Sequence, residues 1–315
     1  MDFKFTSPDA EIGIGDKTKK EKEGKIEVVF RGSYEDTPEN REITIPEGIV
    51  EIAENTFSGF SNLVTVNFPK SLKIVSAGAF SGCPNLKNVN MNDGLSEIGD
   101  DAFSSCTSLV SVSMPDTVKR IGVSAFEACA NLMRIKLSES VMMIGASAFA
   151  YCFNLTDVTI PDSCILVEFS AFMSCFSLEG VKLSKNMGLI DESTFEGCRS
   201  LSLVDLPSCL SKIGRRAFKG CTSLKSLILP STLRSIGFDA FASCTALSRI
   251  AIPKDIAELE DDDVFSGCDS LSEISFGGSQ QAWEFLCHGK TLTVEKTNLQ
   301  THVPRVIFLN LEDKK

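Results

Sequence analysis

The apolar positions of this chain recur on a fixed ruler. Phe57, Phe80, Phe103, Phe126, Phe149, Phe172, Phe195, Phe218 and Phe241 stand 23 residues apart, and Phe265 follows after 24. Six residues after each comes a leucine, from Leu63 through Leu271. Nine after it is an aliphatic residue, from Val66 through Ile274, and eleven after it a large apolar one, from Phe68 through Phe276. The last two positions alternate with polar residues, and that period of two predicts one short strand per unit. Pro69, Pro115, Pro161, Pro207, Pro230 and Pro253 then end the strand, because proline has no N–H to give a ladder. Gly99, Gly122, Gly145, Gly214 and Gly237 are expected to let the chain bend at a second turn on the far side.

A unit this short cannot bury its apolar face alone. Stacked units bury a continuous core and pair their strands in parallel, so the pattern predicts a repeat solenoid. The usual crossover rule makes it right-handed. The frame runs over residues 43–276, with "ITIPEGIVEIAENTF" as an opening half unit. Residues 1–42 are expected to form a β-rich N-terminal cap: Phe3/Phe5, Ile12/Ile14 and Ile26/Val28/Phe30 alternate with polar residues, and "KTKKEKEGK" reads as a solvated loop between strands. Residues 277–315 are expected to cap the other end. Gly277 and Gly278 end the last strand, Ser279 is an N-cap for a helix through about Cys287, and Trp283 and Leu286 share one helical face. "TLTVEK" and "PRVIFLNL" read as closing strands.

The blocks "AFSGCPNLKNV", "AFSSCTSLVSVSMP", "AFKGCTSLKSLILP" and "IGVSAFEACANL" resemble the leucine-rich repeats of the BspA-like (Treponema pallidum-type) class. The resemblance implies an α/β-type repeat solenoid, a leucine-rich repeat coil with one parallel β-sheet and caps at both ends. It also implies a microbial surface or secreted protein that recognises host or neighbouring-cell proteins.

Charge and cysteine content narrow the function classes. A net charge of −11 opposes nucleic-acid binding, which needs a basic footprint. No apolar run is long enough for a membrane span. The first residues carry no apolar signal-peptide core, so the expected address is either inside the cell or outside it after loss of a leader. Cys83, Cys106, Cys129, Cys152, Cys175, Cys198, Cys221, Cys244 and Cys268 share one frame position, occupied by Phe60 in the first unit. A position that accepts Phe is apolar core, where Cys acts as a small hydrophobe. Neighbours in such a column stand about 4.8 Å apart with parallel Cβ vectors, which disfavours bridging.

Chemistry is sparse. His288 and His302 are the only histidines, and no Ser/His/Asp spacing, Walker loop or C-x-x-C pair occurs. The reading is therefore not an enzyme, with no cofactor and no metal. "DIAELEDDDVF" holds carboxylates but lacks the frame and glycine of a calcium loop, so it reads as a bulged, solvated loop.

Two surfaces remain as candidates for a protein partner. Residues between the buried strand positions point outward, and the centre of that strand face is charged: Arg134, Lys136, Asp157, Thr159, Lys182 and Asp205. Elsewhere polarity breaks: Met142, Met143, Tyr151, Phe153, Ile165, Leu166, Phe169, Met173 and Phe176 stand where other units carry mostly polar residues. Stacking is expected to set them side by side in two adjacent coils, as an interface for a partner or a second copy.

Overall fold

The phenylalanine ruler becomes a column of stacked rings in a computed structural model, which describes residues 17–22, 25–30, 36–260, 262–288, 292, 294–295 and 301–309. The fold is a parallel β-solenoid of about ten turns with little helix. It divides into two compact units, one ending at Leu155 and the other beginning at Thr156.

In the first unit, rings from Phe30 through Phe57, Phe80, Phe103, Phe126 and Phe149 stack at centroid spacings of 5.0–5.9 Å. In the second, Phe172 through Phe265 stack at 5.5–5.8 Å. All are essentially inaccessible to solvent, as are the leucines six residues on. With the buried Ala, Cys, Val and Ile of each turn they bury the apolar area that holds it to its neighbours, at about 25 cal/mol per Å².

Each turn carries two strands rather than the one expected. On the predicted face, the first unit pairs Glu42–Thr44, Thr65–Asn67 and Asn88–Asn90 in parallel, and Ser111–Ser113 with Arg134–Lys136. The second unit pairs Asp157–Thr159, Gly180–Lys182 and Leu203–Asp205, and further on Ser226–Ile228, Arg249–Ile252, Glu273–Phe276 and Arg305–Phe308. A second ladder runs on the other side of each turn: Ile49–Ile52, Ile74–Val75, Glu97–Ile98, Arg120–Ile121 and Met143–Ile144 in the first unit, and Leu189–Ile190, Lys212–Ile213, Ser235–Ile236 and Glu258–Leu259 in the second. Most of these strands are two residues long with one buried member, too short to show an alternation in sequence.

The connections between the two ladders are turns, apart from a short 3-10 helix at Asp262–Phe265. From Phe57 through Phe241 each Phe of the ruler is flanked by two left-handed residues, two before and two after it, as with Asp101 (φ 55°) and Ser105 (φ 60°) around Phe103. The Gly99–Gly122–Gly145 column has a different task from the expected bend. A Cβ on Gly122 would lie 2.5 Å from the Gly99 carbonyl carbon and the Asp100 nitrogen, so glycine is needed there because successive backbones nearly touch. The proline column also has substitutes. At Ser138 and Ser184 the buried hydroxyl accepts the N–H two residues on (3.0 and 3.2 Å), closing the turn that proline opens elsewhere.

The cysteine column is buried as expected, and it is also polar. Each Sγ–H donates to the carbonyl of the Phe one turn earlier: Cys83, Cys106, Cys129 and Cys152 in the first unit and Cys198, Cys221, Cys244 and Cys268 in the second, all at 3.1–3.3 Å.

At the N-terminal side the lysine-rich run forms a strand instead of a loop. Lys17–Lys22 pairs antiparallel with Lys25–Phe30, which in turn joins Ile49–Ile52 in parallel. Backbone pairing needs no apolar residue, so composition gave the wrong reading there. Phe3, Phe5, Ile12 and Ile14 lie outside the described residues. At the C-terminal side the helix spans Gln280–Leu286, with the Ser279 hydroxyl accepting from Ala282 N at 3.2 Å and Cys287 as C-cap. Trp283 and Leu286 are its buried residues, and Trp283 packs on Phe276 at 5.2 Å.

Candidate functional site

Strand-face side chains are aimed outward by the pleat, since the alternate residues are locked into the core. In the first unit Arg134 and Lys136 are exposed, in register with Ser111 and Ser113. In the second unit Asp157 sits opposite Gly180, and Thr159, Lys182 and Asp205 form one in-register row. All four are exposed, and Asp157 accepts from the Thr156 hydroxyl at 2.9 Å. Lys182 and Asp205 make no ion pair among the described residues, so this row is not a salt-bridged surface.

Two apolar residues join that face. Leu203 is 72% exposed and Ile228 is 80% exposed, each at the outward position of its strand. The signal was present in sequence, as Leu and Ile in columns otherwise filled mostly by polar or small residues. In the first unit the corresponding rows are polar: they begin at Glu42, whose carboxylate accepts from Asn67 Nδ2 (2.8 Å), run through amides and hydroxyls, and include Arg134 and Lys136. Asn90 Nδ2 donates to Asn67 Oδ1 (2.6 Å), Asn67 Nδ2 to Thr44 Oγ1 (3.1 Å), and Asn88 Nδ2 to Thr65 Oγ1 (3.2 Å).

The apolar residues singled out beyond the strand face are all outside the core. Within the first unit Met142 and Phe153 are exposed and Met143 and Tyr151 half-buried. Tyr151 holds a left-handed backbone (φ 61°) at a frame position that Gly59 and Gly82 fill in earlier turns, and its ring meets Phe153 edge-on at 6.2 Å. Met143 lies opposite Arg120, whose guanidinium binds Glu97 (2.8 Å) and Asp100 (2.9 Å). Partial burial lowers the Arg120 pKa, but those two carboxylates outweigh it and the net shift is upward. Within the second unit Ile165, Leu166 and Phe169 are exposed, and Met173 and Phe176 half-buried. The Arg199 guanidinium lies 4.4 Å over the Phe176 ring, so that ring is already a cation–π platform.

Eleven of the twelve thiols are buried, and Cys209 is exposed. Burial pushes the Cys129 thiol up to about 12, and it raises the Cys152 thiol well above its ordinary value. His302 Nε2 lies 2.5 Å from the Leu271 carbonyl oxygen. Among the described residues no group of three or more His, Cys, Asp or Glu is placed to hold a metal, and no helix is long and apolar enough to cross a membrane.

The family described as BspA type leucine rich repeat region (6 copies) matches residues 29–152, 97–220, 142–272 and 189–306. No curated protein matches the chain. Among solved structures, a T. pallidum leucine-rich repeat protein is similar at 28% identity, covering 63% of this chain and 82% of that one, with a TM-score of 0.47. A leucine-rich repeat protein from Bacteroides ovatus is 20% identical over 96% of this chain and 100% of its own, with a TM-score of 0.37. The pneumococcal vaccine antigen PcpA is 18% identical over 95% and 98%, with a TM-score of 0.48. The matched residues run through both units and through the whole ring column, and the chain belongs to the BspA-type leucine-rich repeat family.

Proposed function

We propose that this protein is a non-catalytic, protein-binding scaffold whose strand face carries recognition, in the manner of a microbial surface or secreted adhesion protein. One observation supports this reading most. Leu203 and Ile228 are 72% and 80% exposed on the same strand face of the second unit as Lys182 and Asp205, which make no ion pair among the described residues. Apolar anchors that a partner would bury, next to charges that set its orientation, are the ingredients of a protein interface. The partner is a host or neighbouring-cell protein. Arg134, Lys136, Asp157 and Thr159 extend the recognition surface in their own units. Residues 1–42 and 277–315 serve as caps that keep the terminal strand edges from pairing with other chains.

A second reading is self-association of an intracellular assembly protein through the apolar clusters. It is favoured by the exposure of Met142 (50%), Ile165 (61%) and Phe169 (54%). Photo-cross-linking separates the two. A benzophenone side chain placed at Ile228 should capture a foreign protein, and one at Met142 should not capture a second copy of this chain. Adducts between copies from Met142 alone would favour the second reading.

A further inference from the structure

The residue that precedes each face strand is stacked in register along the turns, and in the first unit this produces a small cationic cavity. The Val64 N–H donates to the Arg41 carbonyl (2.8 Å) and the Lys87 N–H to the Val64 carbonyl (2.9 Å), so these three side chains occupy one column in three successive turns. Two long cations therefore stand about 10 Å apart, two strand spacings, with the short Val64 between them. The gap is a cavity of about 160 Å³ lined by Arg41, Asn62, Val64, Asn85 and Lys87.

Its lining is cationic, with two carboxylates close by: Asp36 on Asn62, and Glu42, which follows Arg41 and accepts from Asn67. No carboxylate lines it, and neither Arg41 nor Lys87 makes an ion pair among the described residues. Asp36 is bound on Asn62 but is consumed there: it accepts from the backbone and side chain of both Ser61 and Asn62 at 2.5–3.2 Å. Asn85 is held by donation to the Ser61 carbonyl (2.7 Å). The cavity walls are thus fixed, and the two cations are left for something else. On a chain of net charge −11 this is an exception that favours an anion.

What adjoins the cavity says what carries the anion. The strand residues directly after Arg41, Val64 and Lys87 are Glu42, Thr65 and Asn88; beyond Glu42, whose carboxylate accepts from Asn67 Nδ2 (2.8 Å), Thr65, Asn67, Asn88 and Asn90 make an outward face of amides and hydroxyls. It offers none of the apolar anchors that a protein partner needs, but it matches the vicinal hydroxyls of a sugar. We infer that Arg41 and Lys87 bind the oxyanion of an acidic glycan, its carboxylate or sulfate between the two cations and its hydroxyls on the Asn67–Asn90 rows. The guanidinium of Arg41 suits a two-oxygen contact, and Lys87 supplies a point charge. This site is separate from the protein-binding face proposed for the second unit.

The test is isothermal titration of the full chain with sialyllactose, a sulfated heparin oligosaccharide, lactose and a glutamate-rich peptide. Binding of sialyllactose or of the heparin fragment, without binding of lactose, is the expected result, and the two acidic probes tell carboxylate from sulfate. Arg41→Ala with Lys87→Ala should weaken that binding at least about tenfold and leave the circular dichroism unchanged, since both side chains are exposed. Lys225→Ala, at the same frame position in the second unit, should have no effect. Equal binding of lactose, no binding of either acidic sugar, full affinity in the double variant, or equal binding of the peptide would each overturn the inference.

Discussion

The Sγ of Cys129 lies 3.1 Å from the carbonyl oxygen of Phe103, one turn earlier in the coil. That oxygen also accepts the Cys106 N–H of its own turn, at 3.3 Å. A carbonyl has two lone pairs, and in the buried core both are used. The frame therefore asks for a small side chain that is apolar in volume and still carries one weak donor, and Cys is the residue that meets both conditions. Phe60 fills the position in the first turn, where it packs edge-on against Phe57 instead.

Replacing Cys129 by Ala removes packing volume and a donor together. The expected loss is about 1–2 kcal/mol in denaturant unfolding. Eleven of the twelve thiols are buried and Cys209 is exposed. Titration of the native protein with a thiol reagent should therefore show one fast cysteine, and fast reaction of the whole set would contradict the burial of the column.

Two glycine substitutions should have opposite signs. Ala128 has a left-handed backbone (φ 56°), so Ala128→Gly relieves strain and should stabilise by up to about 1 kcal/mol. Gly122→Ala puts a Cβ 2.5 Å from the backbone of the preceding turn and should destabilise by about 1–3 kcal/mol. Thermal unfolding of the pair checks both.

Asp36 makes stability depend on acid. Slight desolvation raises its carboxyl pKa, but donation from the Ser61 and Asn62 side chains and backbones outweighs this, and the net shift is downward. A depressed folded pKa means the stabilisation is complete above the ordinary carboxylate range and is lost as pH falls through the folded value. In acid titrations followed by circular dichroism, Asp36→Asn should weaken the neutral-pH state and flatten this part of the pH dependence. Because Asp36 is largely solvated, the effect should be small.

Leu203→Asp and Ile228→Asp should each leave unfolding within about 0.5 kcal/mol of the native chain, because both side chains are already in water. With the benzophenone placed at Asp205 instead, adduct formation with the foreign partner should fall in the double variant. A large loss of stability would mean that these residues serve the core.

Much of this fold was legible because one turn repeats. The Phe, Leu and Cys columns, the face strands and the Ser279-capped helix each announce themselves through spacing. The second ladder did not, because a strand such as Arg120–Ile121 shows only one buried residue. The glycine column was visible, but its cause was not: approach of Gly122 to Gly99 is a contact between turns. The donor role of the cysteines was hidden likewise, since the accepting Phe carbonyls are backbone atoms. Of the candidate site, Lys182 and Asp205 were readable as outward positions. Leu203 and Ile228 were readable too, though only their exposure shows them as anchors. The Arg41–Lys87 cavity needed the register of three turns.

The most direct test is the solution mass, by light-scattering chromatography, of the native chain and of Met143→Lys with Phe176→Lys. The scaffold reading predicts a monomer in both, folded alike, with the strand face left for a foreign partner. A native dimer that becomes a folded monomer in the variant would contradict it and assign the apolar clusters to self-association.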